Sequence, residues 1–168
     1  KKGMHEYIGA IDINSLYPST IRALNMGPET IVGQLRPTLT DKAIKDRMDS
    51  GASFAGAWEG LFSSLEYEAV IQGDPTVEIT IDWEADGTSN VLSAADVWRL
   101  IFDSGKPWML SANGTILSYE KKGIVPGLLE RWYAERKVLQ AKKKAISELE
   151  NGIEISDDLV AEIRKYLS

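Results

Sequence analysis

Residues 7–19 read YIGAIDINSLYPS and decide the fold class, because a strand signal runs directly into a helix signal. Residues 7–13 are apolar at both alternate positions, which is typical of a strand buried on both faces in the middle of a sheet. After a four-residue turn, Pro18 suits the first position of a helix that runs to Leu24. The stretch therefore predicts a strand–turn–helix unit with Asp12 at the end of the strand.

Outward from this unit, the chain alternates between short helix and strand signals. The strongest short-range signal is the turn dipeptide Asn113-Gly114, which favours a two-residue hairpin turn. Further helices are predicted at 41–49, from 61 to 72, at 94–102 with a cap at Ser93, at 125–149 ended by Gly152, and at 159–167 capped by Ser156. Strands are predicted at 76–83 and, on either side of the hairpin turn, at 108–111 and 115–119. Together they predict an α+β fold with an antiparallel sheet and a protruding C-terminal helical arm.

The composition excludes several classes of protein and of site. The 168 residues suffice for one ordinary domain, and no apolar run approaches the roughly 18 residues that cross a bilayer. The absence of cysteine excludes disulfides and thiolate zinc sites, and the single histidine argues against a multi-histidine metal site. A metal would have to be held by carboxylate and backbone oxygens, which favours magnesium, calcium or manganese.

The net charge of -6 is distributed unevenly along the chain. Residues 41–100 carry 12 acidic and 4 basic side chains, whereas residues 131–144 carry six basic side chains against Glu135 alone. The chain is therefore acidic with one concentrated basic helix, which argues only weakly against contact with nucleic acid.

Asp12 and the helix that follows it form a candidate phosphate site. A helix N-terminus offers unpaired backbone N–H groups and a positive dipole end, which suit a phosphate, and a neighbouring carboxylate can hold a magnesium ion bridging to it. The alternative is that Asp12 caps a turn and Tyr17 packs as a half-buried aromatic ring. The strand–turn–helix pattern alone leaves both interpretations open.

The run Asp12-x-x-Ser15-Leu16-Tyr17-Pro18-Ser19 resembles motif A of the family B DNA polymerases, the group of eukaryotic replicative, archaeal and many phage enzymes. Its flanks are also similar to the family's usual surroundings for this motif: Lys2-Gly3, Glu6 and Ile8 precede it, and Asn25-Met26-Gly27-Pro28-Glu29-Thr30 follow it.

The resemblance implies a role for each matching residue. Asp12 would be one of two aspartates that hold the catalytic Mg²⁺ ions, with the carbonyl of Ile13 also facing a metal. The backbone N–H groups of Ser15, Leu16 and Tyr17 would lie along the triphosphate of the incoming nucleotide. The ring of Tyr17 would also exclude a 2′-hydroxyl by steric clash.

A second resemblance lies in residues 123–137, which read GIVPGLLERWYAERK. A basic amphipathic helix is most often a solvated face, but this one is similar to the first fingers helix of the same family, where an arginine matching Arg136 binds the triphosphate. The family commonly has a lysine four residues later, where this chain has Gln140; Lys143 or Lys144 is a possible substitute. The hairpin before the helix resembles the tailed-phage branch.

Two further family motifs are missing from the sequence: Lys-x-x-x-Asn-Ser-x-Tyr-Gly of the fingers, and Tyr-Gly-Asp-Thr-Asp, which supplies the second catalytic aspartate. The resemblance therefore implies a palm-type sheet and a partial palm domain at 1–122, with an unassigned acidic insert at about 31–105. It places the start of the fingers helices at 123–168.

The function expected from the resemblance is part of a DNA-directed DNA polymerase, a nucleotidyltransferase. One metal-binding aspartate cannot support two-metal phosphoryl transfer, so the chain alone should be inactive, as a fragment or as one subunit of a split enzyme. The expected partners are primer–template DNA, deoxynucleoside triphosphates and the polymerase segment with the second aspartate. No membrane partner is expected, and the expected location is the cytoplasm, that of the host cell for a phage protein.

Two other classes of function stay open. A non-catalytic module could retain a palm-like relic and bind proteins through its acidic middle. A sugar-binding domain is suggested by five tryptophans and by Asp82, Glu84 and Asp86, whose spacing of two puts them on one strand face. That acidic set is more typical of a solvated edge than of a calcium site, and periodic spacing favours core packing for Trp83 and Trp132.

Overall fold

The computed structural model describes residues 15–150 and 157–165. It contains five strands, seven α-helices, a 3-10 turn and a π-helical turn in these residues. The strands are β1 (Ile31–Leu35), β2 (Glu78–Trp83), β3 (Ser89–Ser93), β4 (Trp108–Leu110) and β5 (Thr115–Ser118). The helices are α1 (Leu16–Ala23), α2 (Thr38–Asp49), α3 (Phe54–Ala57), α4 (Leu65–Gln72), α5 (Ala94–Trp98), α6 (Ile124–Glu150) and α7 (Asp157–Lys165), with the 3-10 turn at Pro28–Thr30 and the π turn at Arg99–Asp103.

The strands form one antiparallel sheet in the order β3-β2-β1-β5-β4. The predicted α+β class, antiparallel sheet and C-terminal helix are therefore confirmed. The predicted hairpin at Asn113-Gly114 joins β4 to β5, and Gly114 has the positive φ of 87° that favours glycine in such a turn.

The central strand β1 has no counterpart among the predicted elements. Its pattern is short and is interrupted by Gly33, a residue that weakens strand propensity. The structure shows why glycine is needed here: a Cβ at Gly33 would lie 2.8 Å from the carbonyl oxygen of Asp82 and 3.1 Å from the ring of Trp83. The polar edge strand β3 was likewise not predicted.

The core lies on the face of the sheet that α4 and α5 cover. It is made of ten buried side chains from the strands, the two helices and the π turn: Leu35, Ala69, Val70, Ile79, Ile81, Ala94, Val97, Ile101, Leu110 and Ile116. Residues 31–105, predicted as an insert, thus supply three of the five strands and most of this core.

Two helix starts differ from the predictions for identifiable reasons. Helix α1 begins at Leu16, two residues before Pro18, because a proline in the first turn lacks only an N–H that has no intrahelical partner. Helix α2 begins at Thr38, three residues before the predicted start. There the buried carboxylate of Glu66 accepts hydrogen bonds from the N–H groups of Leu39 (2.6 Å) and Thr40 (3.1 Å).

Two other helices are shorter than predicted. Helix α4 starts at Leu65 because the hydroxyl of Ser64 accepts a hydrogen bond from the Tyr67 N–H. The predicted cap of α5 is confirmed, since Ser93 Oγ accepts from the Asp96 N–H, but the α-helix passes into the π turn after Trp98.

The long helix α6 is confirmed, with a length of about 40 Å at 1.5 Å per residue. Its buried side chains include Pro126, Ala141 and Ala145. The core position predicted for Trp132 is wrong: Trp132 is 52% exposed and Leu139 65% exposed. The helix is predicted from apolar residues at three- and four-residue steps, Leu128, Leu129, Trp132, Leu139 and Ile146, but Trp132 and Leu139 face away from the core.

Three predictions concern residues outside the described ranges: the strand at 7–13, the helix stop at Gly152 and the cap at Ser156. In the part of the chain that the structure describes, no helix is both long and apolar enough to cross a membrane.

Candidate functional site

The N-terminal turn of α1 presents backbone donors at the protein surface. Ser15 precedes the helix in a left-handed conformation (φ 57°, ψ 53°) and its side chain makes no capping hydrogen bond. The N–H groups of Leu16 and Tyr17 belong to the first turn and have no intrahelical acceptor. The Tyr17 side chain is 80% exposed, so the alternative that it packs as a half-buried ring is wrong.

The structure brings Arg136 to this same turn. Arg136 Nη1 lies 3.3 Å from Ser15 Oγ and donates a hydrogen bond to it, across 121 residues of sequence. The three residues predicted to contact a triphosphate through their backbone therefore lie beside the arginine predicted to contact it through its side chain. Asp12 and Ile13, the predicted metal ligands, lie outside the described residues.

An aromatic ring between two cations lines the contact between α1 and α6. The Arg22 guanidinium carbon lies 5.1 Å from the centre of the Tyr133 ring, and Lys137 Nζ lies 5.6 Å from it. Glu130 binds Lys122 in an ion pair, and that hydrogen bond, with the charges of Lys122 and Arg22, holds the pKa of Glu130 below its ordinary value. The helix contact is thus polar and rich in positive charge.

A polar junction, formed by residues 25–30 and 118–124, fixes the end of α1 against the start of α6. The Asn25 side-chain amide donates to the carbonyl oxygens of Ser118 (2.8 Å) and Lys121 (2.9 Å). The Gly123 N–H donates to Asn25 Oδ1 at 2.9 Å. The Tyr119 hydroxyl also donates to the carbonyl of Ala23, the last residue of α1.

Glu29 makes the second bridge of the junction. Its carboxylate accepts a hydrogen bond from the N–H of Ile124, the first residue of α6, which lowers the pKa of Glu29 below its ordinary value. The segments approach closely at Gly123: a Cβ there would lie 3.1 Å from both Pro126 Cδ and Thr30 Cγ2, and 3.2 Å from Glu29 Oε1, so a side chain would have to displace its neighbours slightly.

Beyond Ser15, the Arg136 side of α6 is an open surface with a cavity of about 350 Å³. Gln140 and Lys143 line it together with Arg136, whereas Lys144 is not among the lining residues. Lys143 is therefore better placed than Lys144 to add positive charge beside Arg136.

Asp82 and Asp86 of the acidic set are engaged in local structure, and the shared strand face predicted for the set is wrong because β2 ends at Trp83, before Glu84. Asp82 forms an ion pair with Arg36 and accepts from Ser89 Oγ at 2.6 Å, and the Arg36 hydrogen bond is the main cause of its lowered pKa. Asp86 accepts from the N–H and hydroxyl of Thr88, which lowers its pKa. In the described ranges, no three His, Cys, Asp or Glu side chains form a metal-binding group.

The sequence interpretation missed the roles of Asn25 and Glu29. Both were recognised only as part of the flank that resembles the polymerase family. Their partners lie more than 90 residues away, so no local pattern could identify them.

Comparison with known proteins gave no match to any family, curated protein or solved structure.

Proposed function

We propose that this chain is part of a family B DNA polymerase and holds the triphosphate of an incoming deoxynucleotide between the first turn of α1 and Arg136. The supporting observation is the 3.3 Å contact between Arg136 and Ser15. The two segments resemble the family in separate stretches of sequence, and both resemblances imply contact with the same triphosphate, so the proposal requires the segments to lie together.

The chemistry of the two segments is complementary to a triphosphate. The N–H groups of the first turn, which have no acceptor within the helix, and the helix dipole favour negative charge. The planar guanidinium of Arg136 can donate two parallel hydrogen bonds to phosphate oxygens. Tyr17 is exposed beside these donors, where its ring would contact the sugar and exclude a 2′-hydroxyl. Lys137 and Arg22 add positive charge nearby.

In this proposal Mg²⁺ would be held by Asp12 and the carbonyl of Ile13, three and two residues before Ser15 in the sequence. When bound, it would neutralise phosphate charge and activate the attacking hydroxyl. The other partners are primer–template DNA and the polymerase segment that carries the second aspartate. The location is the cytoplasm, that of the host cell for a phage protein. Without that segment the chain should not extend a primer.

The direct test is titration of the chain with dATP and Mg²⁺ by isothermal calorimetry. Arg136→Ala should weaken binding roughly 10- to 150-fold, because a charge-assisted contact contributes about 1.5–3 kcal/mol. Arg131→Ala is the matched control: Arg131 lies on the same helix and is exposed, but its ion pair is with Glu135. Equal effects of the two substitutions would contradict the proposal.

A second experiment measures primer–template binding and nucleotide incorporation by the enzyme reconstituted with its complementary segment. Asp12→Ala should abolish incorporation and leave DNA affinity nearly unchanged. If Arg136→Ala weakened DNA binding while nucleotide use was unchanged, α6 would contact the DNA backbone and the fingers assignment would be wrong.

One observation favours the second candidate, a protein-interaction module. Phe54 and Trp58 are exposed with ring centroids 6.3 Å apart, Phe62 is 94% exposed, and a cavity of about 420 Å³ lies beside them in the acidic middle of the chain. Exposed aromatic patches mark interaction surfaces. A module of this kind would tolerate Asp12→Ala and lose partner binding on Phe62→Ser.

A further inference from the structure

The side chain of Asn25 is buried and also uses all of its hydrogen-bonding groups. It is 4% exposed, and its three side-chain hydrogen bonds go to the last residue of β5 and to the segment between β5 and α6. Both amide hydrogens and the amide oxygen are used. Because the partners are backbone groups of Ser118, Lys121 and Gly123, the side chain connects the end of α1 to the segment that leads into α6.

The backbone of Asn25 also ends α1. Its φ is 50°, in the left-handed region. The Met26 N–H donates to the carbonyl of Ile21 at 2.9 Å and the Asn25 N–H to that of Arg22 at 3.3 Å, which is the Schellman arrangement. Glycine and asparagine are the residues that favour this position, and of the two only asparagine has an amide to form the bridge.

None of the residues of α1 is fully buried, and Ile21 is half-buried. The contacts that impose a direction on α1 relative to α6 are polar: the Asn25 and Glu29 bridges at one end and the Arg136–Ser15 contact at the other. The bridges lie at the base of the two helices, and a small rotation there displaces the first turn of α1 relative to Arg136.

We infer that Asn25 is a positioning residue, which sets α1 against α6 so that the first-turn N–H groups and Arg136 reach one triphosphate together. The inference rests on the proposed function for its ligand, but the geometric part concerns the two helices alone. Asn25 touches no part of the nucleotide site itself and acts through the backbone of residues 118–123.

Two substitutions test the hydrogen bonds of the Asn25 amide separately from its left-handed backbone conformation at the end of α1. Asn25→Gly keeps the left-handed conformation and removes the amide. Asn25→Asp keeps the shape and removes both donated hydrogens, which leaves a carboxylate facing two carbonyl oxygens. Gln34→Glu is the matched control, because the Gln34 amide also bridges two segments, by donating to the Asn113 carbonyl at 2.9 Å and accepting from Thr115 Oγ1 at 2.7 Å, but within the sheet.

The distance between the helices is measured by electron–electron double resonance. The chain has no cysteine, so spin labels at Thr20→Cys and Lys142→Cys report on α1 and α6 without interference. Both Asn25 variants should broaden the distance distribution, whereas Gln34→Glu should leave it unchanged. Thermal unfolding, followed by tryptophan fluorescence, checks that the sheet core is intact in each variant.

Binding of tripolyphosphate, the probe for the ligand, is measured in parallel. We expect both Asn25 variants to bind it about tenfold more weakly, as for the loss of one charge-assisted contact. Narrow, unchanged distances in folded Asn25 variants would overturn the positioning role. Failure of the parent chain to bind tripolyphosphate would instead overturn the proposed function, and the distances would still decide whether Asn25 sets the two helices.

Discussion

The sheet with its covering helices and the α1–α6 site are held together in different ways. In the sheet, strands and helices share a core of ten buried apolar side chains. At the site, no residue of α1 is fully buried, and the contacts of α1 and Asn25 with α6 and with the loop before α6 include hydrogen bonds and the cation–π pair of Arg22 with Tyr133.

Because of this difference, the free energy of unfolding and the placement of the ligand-binding groups should depend on different residues. Apolar burial is non-directional and stabilises the whole fold, whereas hydrogen bonds contribute less free energy but impose a distance and an angle. Substitutions in the sheet should therefore change the free energy of unfolding. Substitutions at the junction should change the placement of α1 with little effect on unfolding.

The largest effect is expected for Ile81→Ala. Ile81 is fully buried in β2, so loss of its side chain leaves a cavity and should cost about 2–5 kcal/mol of unfolding free energy. Urea unfolding followed by tryptophan fluorescence measures it. Leu16→Ala, on exposed α1, should change the same quantity by less than about 0.5 kcal/mol. Equal costs would remove the distinction between the two regions.

An intermediate effect is expected for helix capping. Ser93 Oγ accepts the Asp96 N–H at 3.1 Å, so Ser93→Ala should destabilise the sheet region by about 1 kcal/mol. Ser15 stands at the equivalent position of α1 and makes no capping bond. Urea unfolding of Ser15→Ala should match that of the parent chain, and a loss as large as that of Ser93→Ala would show that α1 is part of the cooperative core.

The smallest effect on unfolding is expected for Glu29. Its pKa is lowered in the folded chain by the Ile124 N–H, so the bridge is fully present above the ordinary glutamate pKa of about 4.3 and is lost as pH falls through the lower folded value. The Ile124 amide proton shift, followed by NMR, should titrate below pH of about 4.3.

Glu29→Gln should abolish that titration and leave the urea midpoint at neutral pH unchanged. A titration at or above the ordinary glutamate pKa would show that the carboxylate does not prefer its bound form. A large shift of the urea midpoint would show that the junction stabilises the whole fold.

The sequence by itself determined the features that depend on neighbouring residues. The Asn113-Gly114 hairpin, the Ser93 cap, strand β2 and the long helix α6 follow from turn preference, capping chemistry and periodicity, and all are present in the structure. These signals lie within a few residues of the element that they specify. The motif residues of the candidate site were also identified from local sequence, as a resemblance.

Only the tertiary structure decided the features that depend on distant partners. The apolar pattern of strand β1 is interrupted by Gly33, which is required because the carbonyl of Asp82 lies against it. Helix α2 begins early because Glu66 reaches its first N–H groups. The meeting of Ser15 with Arg136 and the bridge from Asn25 to residues 118–123 are of the same kind. Each depends on a hydrogen bond or contact between segments far apart in the chain, and such a pairing becomes visible only when the backbone has brought both segments together.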